Sequence, residues 1–153
     1  MVCWVTRSPY CHVGIAWFGA KQNSKMEVIH FTEKGGQHDY LNDVVLDYGE
    51  PDVYRIEGLT DNQEVSIYAF MYGLDFISSH YGFFHTVTTG IVRLMPQWVG
   101  KLLDWECHRH APHCSEAVCR AFRYGADIDL VPNKPDWQTA PGDIIKAGKV
   151  KRV

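Results

Sequence analysis

Pro112-His113-Cys114-Ser115-Glu116-Ala117-Val118-Cys119-Arg120-Ala121-Phe122 is the most informative run of residues in the chain. It places a cysteine where a loop hands over to a helix. Ser115 and Glu116 suit a first helical turn, and Ala117, Val118, Ala121 and Phe122 supply an apolar face at helical spacing. A thiol at a helix N-terminus meets unpaired backbone N–H groups and the positive end of the helix dipole, and both favour the thiolate. The same N–H groups suit an oxyanion. Cys114 is therefore a candidate nucleophile. The plain alternative is a buried cysteine acting as a small hydrophobe.

Working outward, Cys11–Gly19 reads as a strand rich in β-branched and aromatic residues, closed by Gly19 and the polar turn Lys21-Gln22-Asn23-Ser24. Met26–Phe31 reads as its hairpin partner, after which Lys34-Gly35-Gly36-Gln37 breaks the pattern. Val44-Val45-Leu46 and Val53–Ile56 predict two further short strands, giving a small antiparallel sheet in the first third of the chain. Thr60-Asp61-Asn62-Gln63-Glu64 is a helix start with a capping pattern, and Val65, Tyr68, Ala69 and Tyr72 carry helical spacing to about Gly73. Phe76–Met95 is aromatic and irregular, Pro96–Trp105 suggests a short helix, and the Cys114 helix is expected to stop at Tyr124-Gly125. Pro141-Gly142-Asp143-Ile144-Ile145 reads as a turn and a last short strand. The coarse class is α+β, a small antiparallel sheet with packed helices, in one domain spanning 1–153.

The bulk properties narrow the function classes. The chain has 153 residues, 46% hydrophobic and 22% charged, as expected of a globular protein with a real core. A net charge of −3 leaves no electrostatic footprint for nucleic acid, and the basic Lys146–Arg152 tail reads as a solvated end. No apolar run is long enough to span a bilayer, and Met1–Pro9 lacks the charged and apolar regions of a signal peptide. The five cysteines, an odd number, are expected to be free thiols in the cytoplasm or another reducing compartment.

A cysteine nucleophile needs a base, and the base needs a third group to fix its ring. His12 opens the first strand and His30 closes the second. In a hairpin these ends are neighbours, which would put both histidines at one sheet edge beside the Cys114 helix. Histidine titrates near neutrality and suits the part of base.

His12-Val13-Gly14-Ile15 on a first strand, Val28-Ile29-His30 on a second and Cys114-Ser115-Glu116 opening a later helix resemble the circularly permuted branch of the NlpC-type, papain-like cysteine hydrolases, which includes the lecithin retinol acyltransferase relatives. In that branch the histidine strand precedes the cysteine helix. The resemblance covers roughly residues 10 to 125. It implies a permuted papain-like fold and a thiol-dependent hydrolase or acyltransferase working through an acyl-enzyme. Carried over by position, Cys114 is the nucleophile, His12 the base and His30 the orienting residue. Many bacterial members carry an acidic third residue, and Glu33 is the alternative orienter here. The implied substrate is a peptide, isopeptide or cell-wall amide, or a lipid ester, with no cofactor and no catalytic metal.

A rival reading comes from the run before Cys114. Cys107, His108, His110, His113, Cys114 and Cys119 are six residues of zinc-binding type, although their spacing matches no regular ligand motif. On that reading the chain is a non-enzymatic binding module with a structural zinc in the 107–119 cluster. The aromatic run Tyr72, Phe76, His80, Tyr81, Phe83, Phe84 and His85 reads as core, or as the wall of an apolar substrate groove. Asp127 and Asp129 have no neighbour in sequence to complete an acid–base or metal site.

Overall fold

The computed structural model describes residues 10–18, 25–32, 35–77 and 112–153. These form an α+β arrangement. Strands β1 (Gly14–Phe18), β2 (Met26–Thr32) and β3 (Gly35–Tyr40) make an antiparallel sheet in the order β1-β2-β3. Helix α1 (Leu41–Tyr48) follows directly. The short strand β4 (Tyr54–Arg55) leads to α2 (Asp61–Ile77). After α3 (Cys114–Ala126) come a 3-10 turn at Asp136–Gln138, helix α4 (Pro141–Lys146) and strand β5 (Lys151–Arg152), which pairs antiparallel with β4.

The central strand explains the layering. Val28, Ile29, His30 and Phe31 are all buried, so β2 is covered on both faces. Ile29 and Phe31 join Ile67 and Met71 of α2 and Ala117, Val118 and Ala121 of α3 in one core. His30 points to the other face with its sheet neighbours Gly14 and Gln37. Burial of this apolar set drives the assembly. Small side chains at 117, 121 and 125 let α3 come close to α2. A Cβ built on Gly125 would lie 2.7 Å from Ile67 Cα.

Two helix starts follow the sequence pattern. Thr60 and Gln63 form a reciprocal capping box, with Gln63 N–H donating to Thr60 Oγ1 at 3.3 Å and Thr60 N–H donating to Gln63 Oε1 at 3.0 Å. α3 begins at Cys114, where His113 Nδ1 accepts the Glu116 N–H at 3.2 Å.

Several expectations are corrected. Val44-Val45-Leu46 is helical. Leu41, Val44 and Val45 are the half-buried residues of α1, an i, i+3, i+4 pattern that outweighs the β-branched side chains. The third strand is β3, in a segment of low strand propensity whose register is imposed by β2. Gly35, at φ 106°, takes a backbone conformation suited to glycine where β3 begins. α2 runs four residues past Gly73. Pro141–Lys146 is a helix. Pro141 occupies its first position and Asp143 Oδ2 accepts the Ala140 N–H at 2.8 Å. The α3 helix continues through Gly125 to a left-handed Asp127, because Gly125 serves helix packing instead of termination. The 146–152 tail is partly strand β5. The expected Pro96–Trp105 helix and most of Phe76–Met95 lie outside the described residues.

Gly125→Ala tests the α2–α3 contact. Alanine is the better helix former, but its methyl would overlap the Ile67 backbone. Chemical denaturation should show a net loss of about 1–3 kcal/mol. A neutral or stabilising result would contradict the close approach.

Candidate active site

Three segments meet at the open end of the β1–β2 hairpin. The Gly14↔His30 register leaves His12 just beyond the paired residues of β1. From there its ring reaches His30, with His12 Nε2 2.7 Å from His30 Nδ1. This approach depends on Gly14. A Cβ at that position would sit 2.9 Å from the Cβ of His30 and 3.0 Å from Ile29 O.

His30 is 1% exposed, and its other nitrogen, Nε2, lies 2.9 Å from Asp39 Oδ2 on β3. Tyr48, at the end of α1, stacks on the His12 ring at 5.4 Å with an interplanar angle of 14°. The same tyrosine meets the His30 ring edge-on at 5.9 Å. Upstream, Tyr10 Oη donates to Asp52 Oδ2 at 2.8 Å and contacts Tyr54 Oη at 2.9 Å, which ties the segment before His12 to β4.

Cys114 opens α3 and is held by its two neighbours. His113 Nε2 donates to Trp137 O at 2.9 Å, and Ser115 Oγ donates to Thr139 O at 2.6 Å. Glu116 is buried and pairs with Arg120 one turn later. The thiol meets the N–H of Val13, the residue after His12, and the N–H groups of Ser115 and Cys114 itself. Cys114 thus lies against the His12-Val13 backbone, although no His12–Cys114 hydrogen bond occurs among the described contacts.

The electrostatics differ from the thiolate expected of a helix N-terminus. Burial pushes the Cys114 thiol up to about 11, against the opposing pull of the Val13, Ser115 and Cys114 N–H groups. Burial, helped by His30, lowers His12 to about 4. At neutral pH the Cys114 thiol and the His12 imidazole are therefore both neutral. Cys119 is buried in α3, its thiol pushed by burial to about 12, and Cys11 is exposed.

Of the predicted residues, His12 and His30 are in direct contact, and Cys114 is linked to them through the N–H of Val13, the residue after His12. Glu33 lies outside the described residues. Asp39 and Tyr48 were not singled out in the sequence. Asp39 stands in a glycine-led segment that gives no strand signal, and Tyr48 in a helix that reads as strand. The rival zinc cluster is only partly described. Within it, His113 spends both ring nitrogens on the Glu116 N–H and Trp137 O, so it has none to offer a metal in this arrangement. Among the described residues no group of three metal-ligating side chains converges. No helix among them is long and apolar enough to cross a membrane. A surface depression of about 550 Å³ along α3 is lined by Phe70, Arg120, Arg123, Tyr124, Asp136 and Trp137, with Pro135 at its side. None of the three candidate residues lines it.

Searches against protein-family models, curated proteins and solved structures find no match to this chain.

The depressed His12 makes a stability prediction. Folded His12 takes up its proton near pH 4, whereas the unfolded residue does so near 6.5. The unfolded chain binds more protons between those values, so this group's contribution to stability is lost as pH falls through that window. Between pH 6.5 and 4 the unfolding temperature of the wild type should fall more than that of H12N. Parallel curves would contradict the neutral, buried state of His12.

Proposed function

We propose that this chain is a cysteine hydrolase or acyltransferase with permuted papain-like order, acting on an amide or ester through an acyl-enzyme on Cys114. What supports this reading is the contact of His12 with His30, Nε2 to Nδ1 at 2.7 Å, together with the N–H of Val13, the residue after His12, on the Cys114 thiol.

The neutral resting pair determines the order of events. As Cys114 Sγ attacks the substrate carbonyl carbon, its proton passes to His12, which acts as general base. The carbonyl π electrons move to oxygen, and backbone N–H groups at the start of α3, that of Cys114 among them, stabilise the oxyanion. The intermediate collapses with cleavage of the C–N or C–O bond, and the His12 imidazolium gives its proton to the leaving group. Water, or another acceptor, then attacks the thioester, losing its proton to His12 and restoring the Cys114 thiol. Hydrolysis and transfer differ only in that acceptor. His30 holds the His12 ring. Peptide, isopeptide or cell-wall amides and lipid esters are the substrate classes, and the chemistry as written needs no cofactor.

The test uses p-nitrophenyl acetate as a generic acyl donor. The wild type should acquire one acetyl group on the peptide bearing Cys114, with release of nitrophenolate. C114A and H12A should each lose at least about a hundredfold in acetylation rate. Equal acetylation of C114A and wild type would overturn the reading.

A further inference from the structure

We infer that Asp39 is a positioning residue that, acting through His30, fixes the His12 ring in the tautomer whose Nδ1 is bare and able to accept the Cys114 proton. The inference rests on the reading of Cys114 and His12 as nucleophile and base, and extends it to a residue outside that set.

Donors and acceptors along the Asp39–His30–His12 chain fix the tautomers. A carboxylate only accepts hydrogen bonds. Asp39 Oδ2 lies 2.9 Å from His30 Nε2, so that nitrogen carries the hydrogen and donates it. Neutral imidazole has one N–H, which leaves His30 Nδ1 with a lone pair. His30 Nδ1 is 2.7 Å from His12 Nε2, so His12 Nε2 must be the donor in that contact. In neutral His12 the remaining nitrogen, Nδ1, then has a lone pair and no hydrogen. Nδ1 is also the ring nitrogen nearer the main chain. The N–H that reaches the Cys114 thiol belongs to Val13, the next residue along that main chain. Without an acceptor at position 39, His30 can exist in either tautomer. Its Nδ1–H form would donate to His12 Nε2 and move the His12 hydrogen to Nδ1, which disables the base.

The geometry also explains why a surface residue can act on a buried one. The Asp39 side chain is 40% exposed, whereas His30 is 1% exposed. Asp39 therefore stays hydrated at one end of the chain, and the buried end receives its orientation through hydrogen bonds. When His12 takes the thiol proton, the carboxylate at the far end of the His12–His30–Asp39 chain also opposes the new positive charge.

The experiment is nitrogen NMR of ¹⁵N-histidine-labelled protein at neutral pH, with the His12 and His30 signals identified by their loss in H12N and H30N. In the wild type both residues should show a pyrrole-type Nε2 and a pyridine-type Nδ1. In D39A both should shift toward a mixture of tautomers. Acetylation of Cys114 by p-nitrophenyl acetate should slow about tenfold or more, with the unfolding temperature little changed. Should D39A fail to fold, D39L, which is close in size and has no acceptor, supplies the same two readouts. Unchanged tautomers and an unchanged acetylation rate would overturn the inference. A wild-type Cys114 that resists acetylation would sink the nucleophile reading instead, while the NMR tautomers still decide the part played by Asp39.

Discussion

The contact between His12 and His30 depends on one register. Gly14 lies opposite His30, and the strands come close enough for the two rings to meet because residue 14 has no side chain. Moving the pairing by one residue would send His30 to the helix-covered face and Ile29 to the other, exchanging a polar residue for a core one. The burial of Ile29 and Phe31 against α2 and α3 thus fixes the register and, with it, the site. The same sheet carries Asp39 on β3, within reach of the second nitrogen of His30.

A second constraint comes from the N-terminus of α3. His113 and Ser115, on either side of Cys114, hold the carbonyls of Trp137 and Thr139. The segment after α3 therefore clamps the turn that bears the thiol. The clamp also buries the thiol, and burial reverses the expectation for a helix-terminal cysteine. Three N–H groups favour the thiolate, but loss of solvent outweighs them. On the proposed reading, a neutral thiol and neutral imidazole require proton transfer during attack, unlike a preformed ion pair.

The sequence made some of this legible. β-branched and aromatic content between turn signals marked β1 and β2, helical apolar spacing marked the two long helices, and the capping pattern at Thr60 was explicit. His12, His30 and Cys114 stood out because their chemistry and order formed a pattern across distant segments. The misses have local causes. Val44-Val45-Leu46 has strand-forming side chains on a helical spacing. Gly35–Tyr40 is a strand whose identity comes from its partner and not from its composition. Asp39 was therefore invisible as a site residue, since its contact with His30 exists only once that pairing forms. Gly125 looked like a helix stop because sequence alone does not show that Ile67 crosses there.

On the proposed reading, Cys114 and His12 act as one chemical unit, the thiol as nucleophile and the ring as its base. A double-mutant cycle on the hydrolysis of p-nitrophenyl acetate measures this directly, comparing wild type, C114A, H12A and the double variant. Residues that work as a unit lose activity non-additively, so the double variant should be no slower than C114A alone. Two independent losses that simply multiply in the double variant would contradict the account.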